Sequence, residues 1–184
     1  MARVLIPLGK GFEDIEAVTV IDVLRRGGVE VVTASMHETT DVRSAHGVTM
    51  RADALFADVK DADYDAIVLP GGGEGTENLK ASVSLIRRLQ RQHEEHRLIC
   101  AICAAPTVLV TAGVLDPGVH ITCYPSCQME LDREWSPAPV VADGLVVTGQ
   151  APGSALIFAL VVLQTLKGEP VAKKVARGMV TDVL

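Results

Sequence analysis

The chain is predicted to adopt an α/β fold, a mostly parallel, doubly wound sheet with helices on both faces. Three observations carry that expectation. Short apolar runs end in glycine or proline, stretches of helical periodicity separate them, and the residues are 48% hydrophobic but only 3% aromatic. A core of Val, Leu, Ile and Ala suits helices packed on a sheet buried on both sides. At 184 residues the chain is long enough for one domain, spanning 1–184, and short for two.

Residues 4–8 form an apolar run closed by Gly9-Lys10-Gly11, and a helix follows over 13–26, ended by Gly27-Gly28. Residues 29–34 read as a second strand. Residues 41–54 are more polar and suggest small strands or a hairpin. Residues 65–70 are a buried strand broken by Gly71-Gly72-Gly73, and helical patterns cover 77–96, in one piece or two. A strand from residue 98 runs into Cys103, and a helix follows it until Gly113. Residues 121–124 suggest a short strand. Residues 140–141 and 145–148 read as a hairpin, because Asp143-Gly144 favours a tight turn. Pro152 opens a long apolar helix to residue 166, and a last helix covers 170–177.

Bulk properties narrow the function classes. The longest clean apolar run, 155–163, has nine residues, whereas a bilayer span needs roughly 20. The chain enters its first strand pattern without the apolar stretch and cleavage site of a signal peptide, so a cytoplasmic protein is expected. Net charge is −6, and neither Arg25-Arg26 nor Arg87-Arg88 continues into a basic stripe. Nucleic-acid binding therefore has little electrostatic support.

Cys103 is the foremost candidate for chemistry. It stands where an apolar strand meets Ala104-Ala105-Pro106, the strand-to-helix junction that projects a side chain into the crevice at a strand's carboxyl end, as a nucleophile elbow does. A helix N-terminus there is expected to lower the thiol pKa and favour the reactive thiolate. Glu16 is the second candidate. Wound at about 100° per residue, it falls in the apolar arc of the first helix between Val20 and Val23. Either it leans to solvent near the helix N-terminus, or it faces the crevice with a raised pKa. The turn Pro70-Gly71-Gly72-Gly73-Glu74-Gly75 follows a buried strand and offers backbone amides to an oxyanion, together with that of Ala104. A tight turn needing glycine dihedrals explains it equally well.

Cysteines at 100, 103, 123 and 127 approach zinc-ribbon spacing, but positions 100 and 103 of a strand face opposite sides, so no metal site is expected. Cys100 reads as a small buried hydrophobe, and Cys123 and Cys127 as loop thiols near the site. His46 and His120 lie in loops from which they could approach the pocket, while His93 and His96 read as solvated.

Gly9-Lys10-Gly11-Phe12-Glu13-Asp14-Ile15-Glu16, Leu69-Pro70-Gly71-Gly72, Ala101-Ile102-Cys103-Ala104-Ala105-Pro106 and Gln150-Ala151-Pro152-Gly153 follow the order and spacing of the ThiJ/PfpI superfamily. Over almost its whole length the chain resembles the branch of deglycase and YajL-like proteins. The resemblance implies a flavodoxin-like sandwich, a homodimer, and no cofactor. It implies an oxidation-sensitive nucleophile at Cys103, a protonated partner at Glu16, and pocket amides from Gly72 and Ala104. Gly73, Cys123, Tyr124 and His46 are expected near that pocket. Members of this branch are described as glyoxalases acting on small carbonyl substrates such as methylglyoxal, as deglycases, and as redox-sensing chaperones. Three departures stand out. Ala104 replaces the histidine of the protease-like branch, which argues against a peptidase. Tyr124 precedes Pro125 where some relatives carry a pocket histidine. His46 stands where an arginine often stabilises the oxidised cysteine.

Overall fold

The computed structural model describes residues 1–183. Its centre is a seven-stranded sheet built on β1 (Arg3–Leu8), β2 (Glu30–Ser35), β6 (Ala66–Leu69), β7 (Leu98–Ile102) and β9 (Val146–Gly149), flanked by β5 (Ala54–Leu55) and β8 (Val140–Asp143). The order is β5-β2-β1-β6-β7-β9-β8. All pairs are parallel except β8 with β9, which form the antiparallel edge hairpin. The polar stretch after β2 folds as the separate antiparallel pair β3 (Asp41–Arg43) and β4 (Thr49–Arg51).

Period-2 alternation divides the core into two layers. On β1, Val4, Ile6 and Leu8 point to one face. There they meet α1 (Asp14–Arg26), α6 (Ala155–Lys167) and α7 (Glu169–Gly178), through Val20, Leu24, Phe158, Leu163 and Ala172. Leu5 points to the other face, with Ile67, Leu69, Ile99 and Ala101. That face is covered by α3 (Gly73–Ala81), α4 (Val83–Glu94) and α5 (Pro106–Ala112), while the one-turn α2 (Phe56–Val59) closes the edge beside Tyr64. This is the doubly wound arrangement that the alternating pattern predicts.

Several boundaries differ from expectation. Residues 121–124 form no strand: Ile121 makes a single bridge to Trp135, and Pro125–Glu130 turns as a 3₁₀ helix. The cause is local, because Pro125 has no N–H for a ladder and the preceding backbone is bonded elsewhere. The N–H of Thr122 donates to Thr148 Oγ1 at 2.9 Å, and that of Tyr124 to the Cys103 carbonyl at 2.7 Å. The helical stretch expected from residue 77 begins at Gly73 and breaks at Ser82, whose hydroxyl caps α4 by accepting from the Leu85 N–H. Pro152 opens a 3₁₀ turn, Pro152–Ser154, before α6 begins. No helix among the described residues is long and apolar enough to cross a membrane.

Candidate active site

Strands β1, β6 and β7 lie side by side and parallel, so the turns after them open on one rim, where ligands bind in open α/β sheets. Cys103 follows β7 in a left-handed conformation, φ +64°, which is rare and costly for a residue with a Cβ. Hydrogen bonds hold it from both sides. Its N–H donates to the Gly149 carbonyl at 2.9 Å, and its carbonyl accepts from the Tyr124 N–H at 2.7 Å. The side chain is left 8% exposed, covered yet reachable.

Glu16 lies in the first turn of α1 and is fully buried. Its own N–H donates to Glu13 Oε2 at 2.8 Å, the cap that starts the helix. Its carboxyl Oε2 accepts from the Gly71 N–H at 2.7 Å. Its Oε1 has no nitrogen or oxygen partner, and the neighbouring polar group is the Cys103 thiol. Gly71 stands between the two side chains: a Cβ there would come within 2.7 Å of the Cys103 Cβ and 2.8 Å of Glu16 Oε2. Of the two readings of Glu16, the buried one holds.

Burial pushes the Glu16 carboxyl up to about 7 against the opposing Gly71 N–H and Cys103 thiol, and the Glu13 charge adds to the rise. The Cys103 thiol is also pushed up, first by burial and then by the Glu16 carboxylate, while the Ala104 and Gly72 amides oppose the shift. This corrects the expectation of a depressed thiol pKa. Helix α5 is only seven residues long and begins at Pro106, a residue without an N–H, so its dipole contributes less than burial removes. The physical unit is the pair. Two negative charges cannot share this site, but one can, because a proton moved from sulfur to Glu16 removes the opposing charge and converts the carboxyl into a donor to the thiolate.

Gly72 has φ +92°, and a Cβ there would lie 2.3 Å from the Gly11 carbonyl oxygen, so only glycine turns its amide toward the sulfur. Gly73 begins α3 and faces open space. Tyr124 is exposed and joins the site through its backbone alone. Cys123 is buried, its thiol donating to the Tyr124 carbonyl at 3.3 Å and pushed up to about 12 by burial. Cys100 is buried within β7.

His46 is anchored to the start of α1: its Nδ1 lies 2.8 Å from Asp14 Oδ2 and 3.9 Å from Glu13 Oε1. His120 instead pairs with Asp143 at 3.0 Å, on the exposed surface. Among the described residues, Glu13, Asp14 and His46 are the one group compact enough to ligate an ion, within 4.8 Å of one another, and no cysteine belongs to it. Sequence reasoning missed Glu13 and Asp14, and it named Gly71 only as part of the glycine turn, not as the donor to Glu16. Glu13 is buried, and its N–H donates to the Gly71 carbonyl at 3.0 Å, which ties the α1 entry to the glycine turn. The signal available was an acidic pair at the cap and first position of a helix, the ordinary look of a solvated N-terminus.

Comparison with known proteins identifies the family. The DJ-1/PfpI family pattern matches residues 2–165. Protein DJ-1 homologs B and A of Arabidopsis thaliana are 37% and 40% identical over 97% and 94% of this chain, which spans only 41% and 45% of their lengths. A Caenorhabditis elegans protein, the glutathione-independent glyoxalase DJR-1.2, is 34% identical over 91% of this chain and 89% of its own. Oxidized DJ-1 of Toxoplasma gondii superposes with a TM-score of 0.95 at 37% identity, covering 98% of this chain and 99% of that one. The flavodoxin-like sandwich is therefore shared with solved DJ-1 structures, and with the family pattern matched over residues 2–165 this chain belongs to the DJ-1/PfpI family.

Proposed function

We propose that the protein is a cofactor-independent, cysteine-dependent glyoxalase or deglycase acting on methylglyoxal-type 2-oxoaldehydes or their early adducts. The observation that carries this reading is a fully buried carboxyl beside a reachable thiol, able to hold a single shared proton. The Cys103 thiolate adds to the aldehyde carbon, forming the C–S bond of a hemithioacetal whose alkoxide takes the proton from Glu16. Glu16, now a carboxylate, removes the hydrogen of that carbon and returns the proton to the adjacent carbon, while the hemithioacetal hydroxyl proton passes to the former ketone oxygen, leaving a hydroxyl there and a thioester at the sulfur-bearing carbon. Water cleaves the resulting thioester, releasing a 2-hydroxy acid and the free thiol. The Gly72 and Ala104 amides are the donors nearest the developing oxyanion. A relative named as a glutathione-independent glyoxalase supports the assignment. The test is lactate formation from methylglyoxal: Cys103→Ala should abolish it, and equal rates for the two proteins would remove the thiol from the mechanism.

A second reading, a redox-sensing chaperone, is favoured by the reach of Cys103 compared with buried Cys100 and by the oxidized state named for the Toxoplasma relative. Two equivalents of peroxide would convert the thiolate to a sulfinic acid, each transferring one oxygen to sulfur and leaving water. Selective addition of two oxygens at Cys103, read by mass spectrometry, supports sensing; indiscriminate oxidation of all four cysteines counts against it.

A further inference from the structure

A cavity of about 330 Å³ opens between the α2–β6 connection and α4, lined by Lys60, Asp61, Ser84, Arg87, Arg88 and Arg91. None of these residues belongs to the Cys103 site. Arg88 is the unusual member. Its side chain is 4% exposed, yet no carboxylate lies within ion-pair distance of it among the described residues. One guanidinium nitrogen, Nη2, donates to the Ala62 carbonyl at 3.3 Å, and the group sits over the Tyr64 ring at 5.8 Å. Its Nε and Nη1 have no acceptor. A buried guanidinium with unused donors and no ion-pair partner is costly to maintain.

The surroundings do not neutralise it. Lys60 pairs with Asp61, and Arg91 is held by Asp63 and Glu95, but those two acids also serve Arg97, and Arg87 has no ion-pair partner among the described residues. Five cations thus face three carboxylates, on a chain whose net charge is −6. Helix α4 also has no acidic residue in its first turn, where one would ordinarily sit, and Ser84 there places a hydroxyl on the cavity wall.

We propose that this cavity is a binding site for the phosphoryl group of a phosphorylated small molecule, held by the Arg87, Arg88 and Arg91 guanidiniums with Lys60 and the Ser84 hydroxyl. Forked guanidinium donors match phosphate oxygens geometrically and stay charged at all working pH values. The volume leaves room beyond one phosphoryl group, which favours an ester over free orthophosphate.

Isothermal titration of the full chain with orthophosphate and with phenyl phosphate, at constant ionic strength set by sodium chloride, tests this. Saturable binding is expected, tighter for the ester. Arg87→Glu should weaken it at least about tenfold while leaving lactate formation from methylglyoxal unchanged. Arg88→Met should remove binding with the far-UV circular dichroism intact, and should that variant fail to fold, Arg87→Glu decides alone. Equal affinity for both probes would support the site with orthophosphate as its ligand. No heat beyond that of added chloride, or unchanged affinity in Arg87→Glu, would overturn the proposal.

Discussion

Glu16 and Cys103 act as one titrating unit, and that has consequences for both activity and stability. The first proton leaves the pair near pH 7 and the second well above it. In the proposed reaction the singly charged pair is the nucleophilic form, so kcat/KM should rise as pH passes through about 7, and Glu16→Gln should lose both that inflection and most of the activity. Stability responds with the opposite sign. An unfolded Glu16 gives up its proton near 4.5, whereas the folded one keeps it to about 7, so folding is favoured below 4.5 and that advantage is lost as pH rises to 7. The change amounts to about 3 kcal/mol. Urea denaturation should find wild type losing that much relative to Glu16→Gln between those two pH values, and parallel profiles would refute the shift. The Cys103 backbone is a separate matter. With φ at +64°, Cys103→Gly should be more stable than Cys103→Ala by about 1 kcal/mol in the same assay. At this scale the sequence was partly legible. Helical phase put Glu16 in the apolar arc, but the direction of the thiol shift depends on burial and on a partner far away along the chain.

Strands and turns explain how those residues meet. The glycine turn after β6 works by close approach: Gly71 donates its N–H to Glu16, and a Cβ at that position would press on Cys103, Glu16 and the Ile102 carbonyl at 2.7–2.9 Å. Gly71→Ala should therefore cost about 1–3 kcal/mol in denaturation experiments and lower lactate formation by about 100-fold through misplacement of the pair. Wild-type activity in that variant would show that the turn is not a positioning element. Element types were readable from periodicity and punctuation, since Gly27, Gly113 and Gly168 each close a helix. Residues 121–124 misled because a β-prone stretch before a proline, Ile121-Thr122-Cys123-Tyr124, looks like a strand, whereas Thr148 Oγ1 and the Cys103 carbonyl accept the N–H groups of Thr122 and Tyr124. His46 was readable only as a loop histidine, because its place depends on Asp14, which accepts hydrogen bonds from both Ser44 and His46.

At the scale of the whole molecule, one surface asks for a partner. Ile15 and Val18 project from α1 with half or more of their area exposed, and Val48 does so from the turn between β3 and β4. The Ser44–Asp14 hydrogen bond holds that turn against the start of α1, the helix that carries Glu16. We propose that a second copy of the chain covers this surface, as the family resemblance implies. Sedimentation velocity should find a dimer for wild type and a monomer for Val18→Arg, and an unaltered dimer in that variant would move the interface elsewhere.

The sequence by itself determined the α/β architecture and the family, because alternation of apolar runs with helical periods is a local property that any doubly wound sheet must write into its chain. It also supplied the chemical types, one thiol at a strand end and one acid on an apolar helix face. Tertiary structure alone decided that the acid hydrogen-bonds an amide 55 residues away, that it is buried beside the Cys103 thiol, and that Arg88 is enclosed without an ion-pair partner among the described residues. Ionisation is set by desolvation and by charges close in space, and neither quantity can be read from neighbours along the chain.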